Sequence, residues 1–498
     1  MEAGGSAVDG AIAVNAVLGV VLPDTCGVGG DLFALVHRPG DPAPAALNAS
    51  GRAGSGAHAA DVRSAGHVEI PLRSTWSVTV PGCVDGWEVL HARYGRLPID
   101  QVLGVAIDLA ANGFPVSPEL SDSLHRIHPL IGAEPSAPAL YPNGDAPDAG
   151  RVVRRPQLAE TLAGIAAAGR EAFYAGPAGF GITDATEGMV TASDLERRQA
   201  EWVEPIGLEV FGHTGWTIPP NSQGYLTLAA AYLFEQVSPG DASPAMSAHT
   251  AIEAYRAVAA ERDTIVSDPA TAPIHERDLL DPVRLDALGG LIDGTRAGVY
   301  PAPRRGPGGT AYMCAVDAAG MAVSLIQSNF HGIGSGRSAG ATGVFLHNRG
   351  AGFSVVEGHP NELLPGRRPL HTLAPTLWTD AGRLRAVLGT RGGDHQPQLL
   401  LQVAINLWWH AMDAADAVAA PRWIVDGWAP GVSSRIRLEA PLAQAIGEDL
   451  EALHHEVQAA GESEAGWGPV ALIEAGDQRV RGVADPRVST AAAAASPA

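Results

Sequence analysis

The chain opens on Ser6–Val20, a run that is small and apolar on most of its faces, and this pattern predicts a buried helix. A glycine-rich turn at Gly27–Gly30 leads into Leu32–Val36, a short apolar run of strand length. Trp76–Val80 alternates as a strand would and stops at Pro81-Gly82. Asp85–Tyr94, Pro98–Ala111, Leu226–Phe234, Ala248–Asp263, Gln398–Trp408 and Ala411–Ala419 carry helical periodicity, as does Pro156–Ala168 with proline at its start. Trp202–Phe211 is expected to be one strand, and the Pro-, Gly- and Asp-rich stretch 130–150 a loop. Ala297–Gly309 holds four glycines, three prolines and two adjacent arginines, which predicts an exposed linker. Directly after it, Thr310–Val316 and Met321–Ser328 predict a hairpin turning at Asp317–Gly320. A second glycine-rich loop fills Gly332–Gly343, and the tail Ala491–Ala498 is low in complexity.

Composition narrows the chemistry. The 498 residues carry a net charge of −21, and none of the 33 basic residues is a lysine. The charge argues against nucleic acid, whose phosphates demand clustered cations. The missing lysine excludes Schiff-base enzymes, Ser-Lys amidases and P-loop nucleotide hydrolases, which all need that amine. Cys26, Cys83 and Cys314 are too few and too scattered for a disulfide framework or a zinc motif and are expected to be small buried residues. No metal or other cofactor is expected. No transmembrane run, basic n-region or leader cleavage motif is visible, so a cytoplasmic location is the default expectation.

Several weak motifs carry less than they suggest. Gly336–Gly340 around Ser338 matches G-x-S-x-G, but a nucleophile elbow needs a strand before it and a helix after it, and both flanks are glycine loop. Ser338 as a serine nucleophile is therefore the weakest reading. Gly27–Gly30 lacks the spacing of a dinucleotide fingerprint. Adjacent His454 and His455 do not share a helix face and are expected to be solvated, and Trp408, Trp409 and His410 to be packing residues.

One junction offers a nucleophile. A cut between Gly309 and Thr310 would make Thr310 an N-terminal residue, with its hydroxyl as nucleophile and its own α-amine as base. Such an amine titrates at about 7.7–8.0 and is substantially neutral near neutral pH. The cut would supply the amine that a lysine-free chain lacks.

The surrounding segment, TAYMCAVDAAGMAVSLIQSNFHGIGSG, resembles the start of the small subunit of the gamma-glutamyltransferase (gamma-glutamyltranspeptidase, glutathione hydrolase) family. GGSAVDGAIA, GVGGDLFALVH, VPGCVDGW, PPNSQGY, HTAIEAYRAVAAERDTIVSDP, PGRRPLHTLAPTL, LGTRGGDHQPQ and GVADPR resemble further family motifs, in order. The resemblance implies an α+β fold, the four-layer αββα sandwich of the N-terminal-nucleophile hydrolases. It implies a precursor that cuts itself into a large subunit, residues 1–309, and a small subunit, 310–498, interleaved in one domain as a heterodimer, with further association left open. It implies a small-molecule amide substrate and Thr310 as nucleophile. The family's helper hydroxyl maps to Ser328 and its paired oxyanion glycines to Gly392 and Gly393.

Departures from the family bear on substrate. The family holds its donor's α-amino group with Asn, Gln and Asp; counted from Thr310 without gaps, those positions carry Phe330, Arg349 and Gly352. Asn329, one place away, and Asn348 are the available substitutes. The serines that hold the donor's α-carboxylate map to His371 and Thr372, and the arginine is best matched by Arg52, displaced by two positions so that Ser50 takes its slot. These replacements resemble the branch with cephalosporin-acylase-like and oxamate-amidase-like members. The expected activity is hydrolysis, rather than transfer, of γ-glutamyl (glutathione-like) or related small amides. A glutaryl-acylase-like or oxamate-amidase-like hydrolase is the alternative. A second is an uncut, silent homologue that binds small anions, suggested by the lost donor contacts and by the absence of the family's strand ahead of GGSAVDGAIA.

Overall fold

In the computed structural model, residues 1–301, 308–426, 435–461, 466–476, 479–489 and 491–495 are described. Parts of the expected linker and tail, 302–307 and 496–498, lie outside them.

The chain divides into two compact units. The first comprises Met1–Val36, Ala46–Val203 and Gly308–His371. Its helix Ala7–Val21 starts where the sequence supplies a capping box: Ser6 Oγ accepts from the Asp9 amide at 3.1 Å, and Asp9 returns a bond to the Ser6 amide at 2.8 Å. Ala7, Val8, Ala11, Ile12, Ala16 and Val20 are buried along it. The sheet has five strands in the order β5 (Glu201–Val203), β2 (Ala45–Ala49), β1 (Asp31–His37), β9 (Ala322–Phe330), β8 (Gly309–Val316). A two-strand ladder, β3 (Phe114–Pro115) with β4 (Val152–Val153), lies outside it. Every residue of β1 and β9 is buried, as befits central strands covered on both faces.

The second unit comprises His37–Ala45, Glu204–Pro307 and Thr372–Ala498. Its six-stranded sheet runs β16 (Val480–Ala484), β15 (Val470–Ala475), β11 (Arg383–Thr390), β10 (Thr376–Asp380), β7 (His213–Thr217), β6 (Ile206–Val210). A smaller sheet orders β12 (Trp423–Asp426), β13 (Arg435–Leu438), β14 (Glu456–Ala459). Each of the two large sheets takes strands from both sides of the Gly309–Thr310 bond.

Several sequence expectations change. Trp76–Val80 is no strand: Thr75–Ser77 is a turn of 3-10 helix, and the Val80 amide donates to the Arg52 carbonyl in a loop. Trp202–Phe211 is two strands in two sheets, split at Glu204-Pro205, where proline has no amide to donate and restricts the residue before it. The expected loop 130–150 includes the end of helix Pro118–Ile131 and a turn at Ala137–Ala139. The helix begun at Gln396 ends at Ala404 and continues as a π turn, Ile405–Trp409. There Trp408 packs on Trp378 with ring centroids 4.3 Å apart, and Trp409 on Phe234 at 5.5 Å, as expected of packing residues. Cys26 and Cys83 are buried and Cys314 partly so, all as free thiols. Burial pushes the Cys26 thiol up to about 12, which keeps it protonated. Among the described residues, no helix is long and apolar enough to cross a membrane.

Candidate active site

Thr310 is the second residue of β8 and is 2% exposed. The antiparallel register with β9 pairs Gly309 with Phe330 and Ala311 with Gln327, so it slips by one residue at Thr310. Bulges of this kind re-aim a side chain locally. The slip sets Thr310 against Ser328. Thr310 Oγ1 donates to Ser328 Oγ at 3.3 Å, and Ser328 Oγ donates to the Gly309 carbonyl oxygen at 2.5 Å. The Phe330 amide donates back to Ser328 Oγ at 2.8 Å. One hydroxyl thus joins the Thr310 side chain to the carbonyl on the N-terminal side of Thr310.

The strand is held in place from the N-terminal glycine turn. Gln327 grips Gly27 twice, accepting from its amide at 2.8 Å and donating to its carbonyl at 2.7 Å. Gly30 has to be glycine, because a Cβ there would lie 2.3 Å from the Ser328 carbonyl oxygen.

Phe330 adopts φ 72°, a conformation that costs a bulky residue about 1–3 kcal/mol and often marks a functional site. The Arg349 guanidinium lies 3.6 Å from the centroid of its ring. Arg349 is buried and raises the positive potential at His371. His371 shares a bond of 3.1 Å with Asp31 Oδ2 and packs edge-on to Phe33. Burial, then Arg349, holds the His371 imidazole down to about 3, so it is neutral near neutral pH. Burial alone would raise the Asp31 carboxyl, but His347, His371 and the Gly51 amide outweigh it and hold the carboxyl below its usual range. Asp31 was not singled out in the sequence, although it directly follows the glycine turn.

Asn329, Asn348 and Arg52 each bond within the protein. Asn329 neighbours Ser328 on a strand and so projects from the opposite face; its Nδ2 donates to the Pro23 carbonyl at 3.3 Å, and its Oδ1 is buried without a hydrogen-bond partner. Asn348 likewise serves backbone, accepting from the His331 amide at 3.0 Å and donating to the Leu72 carbonyl at 3.2 Å. Arg52 is buried but pairs with Glu201 at 2.6 Å, and Glu201 also faces Arg368 at 3.1 Å. Its Nη1 stays buried without a hydrogen-bond partner. The Ser338 hydroxyl donates to the Gly340 carbonyl at 2.9 Å within its loop, and the Glu134 carboxylate accepts from the Ser338 backbone amide at 2.7 Å, not from its hydroxyl.

In the second unit, Gly392 and Gly393 form the turn ahead of helix Gln396–Ala404, with φ 130° and 58° that suit glycine. Gln223 braces this turn. Its Nε2 donates to the Thr372 carbonyl at 3.0 Å and the Gly393 carbonyl at 3.2 Å, and its Oε1 accepts from Arg262 at 2.9 Å. Arg262 also forms an ion pair with Asp394, the residue after Gly393. Gln223 sits inside PPNSQGY and Arg262 inside AERD, two stretches whose family likeness is legible but whose bracing role is not.

A threonine hydroxyl near the start of a buried strand, bonded to a serine on the next strand of a mixed helix-and-sheet fold, is the arrangement expected of an N-terminal-nucleophile hydrolase. The family model described as Gamma-glutamyltranspeptidase matches residues 1–495, and the chain belongs to that family. It is 34% identical to the Glutathione hydrolase-like YwrD proenzyme of Bacillus subtilis, over 99% of this chain and 94% of the relative. It is 33% identical to the Oxamate amidohydrolase proenzyme of Klebsiella pneumoniae, over 99% and 95%. The cephalosporin acylase of Bacillus halodurans superposes with a TM-score of 0.91 at 31% identity, covering 100% of this chain and 93% of that one.

Proposed function

We propose that the chain cuts itself between Gly309 and Thr310 and that Thr310 then hydrolyses a small amide whose acyl group ends in a carboxylate and carries no α-ammonium. The observation that carries the first part is the Ser328 hydroxyl, bonded at once to Thr310 Oγ1 and to the Gly309 carbonyl oxygen. In the precursor, Thr310 Oγ1 attacks the Gly309 carbonyl carbon while Ser328 stabilises the developing charge on its oxygen. The C–N bond breaks, the nitrogen takes the proton, and water hydrolyses the resulting ester. Thr310 is left with a free α-amine.

In turnover the same hydroxyl attacks the substrate carbonyl. The α-amine accepts the proton and returns it to the leaving amine, and water then releases the acid from the Thr310 ester. The likeness of LGTRGGDHQPQ to the family motif supports the Gly392 and Gly393 amides as the donors to the oxyanion.

The second part rests on Phe330 and Arg349. They replace neutral and acidic acceptors with a ring and a guanidinium, which repels an ammonium and attracts a carboxylate. Oxamate and glutaryl amides fit that preference. Intact-mass measurement should give two fragments divided at Gly309/Thr310, and Thr310→Ala should stay uncut and inactive. A glutaryl anilide should be hydrolysed faster than its γ-glutamyl counterpart. An uncut chain that still turns over substrate would sink the mechanism, and preference for the γ-glutamyl anilide would sink the specificity.

A further inference from the structure

Helix Pro244–Ala259 of the second unit carries His249 and Glu253, one turn apart on the same face. His455, expected from sequence to be solvated, is instead buried at the end of the turn that follows helix Ala440–Ala452, while its neighbour His454 is exposed. His249 Nδ1 faces His455 Nε2 at 2.8 Å. His249, Glu253 and His455 each offer a ligand atom, all three within 4.8 Å of one another, and all three residues are buried.

We propose that His249, Glu253 and His455 form a structural site for a divalent zinc ion. Two imidazoles and a carboxylate are a donor set zinc favours. The outer contacts suit it as well. His249 Nε2–H donates to the Asp293 carbonyl at 2.9 Å, which fixes the tautomer with its Nδ1 lone pair directed at the cluster. Glu253 Oε1 accepts from Arg256 at 2.7 Å and Oε2 from the Gly298 amide at 2.8 Å, so the carboxylate is oriented and keeps lone pairs for a metal. Its bond to Arg256 is the contact an ion must compete with, because both are cations. The buried Tyr300 hydroxyl adjoins Glu253 and interacts with its carboxylate, which places an oxygen donor beside the cluster for the fourth position. On binding, His455 shifts its proton from Nε2 to Nδ1, an atom that is also buried and without a hydrogen-bond partner. The ion would tie the helix to the turn at Leu453–His455. It would also secure the stretch Ala297–Tyr300 that enters the linker, already anchored there by Ala297 N–H on the Leu453 carbonyl at 2.7 Å.

The test uses full-length, tag-free protein stripped with a chelator and titrated with cobalt(II) chloride, then zinc chloride. The expected result is a visible ligand-field band saturating at about one cobalt per chain, displaced by zinc, with a thermal midpoint raised by roughly 5 °C or more. His455→Gln and Glu253→Gln should lose the band, and His454→Gln should keep it. No band and no thermal shift in the unaltered protein would overturn the proposal, even if the variants fail to fold. So would a band that persists unchanged in His455→Gln.

Discussion

The Ser328 hydroxyl sits 2.5 Å from the carbonyl oxygen of Gly309, closer than it sits to the threonine that would attack that carbonyl. A hydroxyl so placed acts on the peptide bond to be cut before it acts on any substrate. Ser328→Ala should therefore slow self-cleavage about a hundredfold, the scale of losing one preorganised oxyanion donor. Ser328→Thr, which keeps the hydroxyl, should restore it. Following the uncut fraction by intact mass over time checks both.

Arg349 should sort substrates more than it drives chemistry. Arg349→Gln is expected to lower kcat/KM for a glutaryl anilide by tenfold or more, about 1.4 kcal/mol, chiefly through KM. The γ-glutamyl anilide should change little or improve. Equal loss on both would mean that the guanidinium serves only to pack against Phe330.

Gln223 spans two carbonyls and a buried arginine. Replacing it with leucine would leave the Thr372 and Gly393 carbonyls short of a donor, at about 1–3 kcal/mol for such a loss. The expected outcome is a lower thermal midpoint together with a fall in kcat. Gln223→Glu would add a carboxylate facing both carbonyls and should be the worse of the two.

Acid should destabilise the fold through His371 before it protonates ordinary carboxylates. The folded imidazole is held down to about 3, whereas an unfolded one titrates at about 6.5. The unfolded chain therefore binds the extra proton first, and this stability is complete above about pH 6.5 and lost as pH falls toward 3. Asp31 has the same sign at lower pH, because its lowered carboxyl gives stability that goes as pH falls through its folded value. Urea midpoints between pH 7 and 4 should fall less steeply in His371→Gln, whose amide can still donate to Asp31.

What the sequence revealed follows physical range. The hairpin was legible because turn chemistry specifies it within some twenty residues, whereas Thr310 stands out through the family resemblance. Strand parity turns Asn329 away from Ser328, which sequence spacing alone already implies. Arg52 was expected to reach an anion, but its partner Glu201 lies 149 positions away. The Asp31–His371 bond spans 340 positions and leaves no periodic trace. Nothing local marks His455 as buried, because its burial depends on a helix 206 positions earlier. Trp202–Phe211 failed for a local reason that was visible, the proline at 205.

The shared strands of the two large sheets give the proposed cut a further meaning. While Gly309 is joined to Thr310, each sheet assembles from one molecule, at a rate independent of concentration. After the cut, the same pairing would need two chains to find each other, with no tether to raise their effective concentration. The mature form would then carry less folding information than its precursor. Denatured mature protein should regain activity poorly and in proportion to its concentration, whereas uncut Thr310→Ala should refold to its native spectrum at any dilution. The bond would thus serve as a single-use template, spent in making the enzyme.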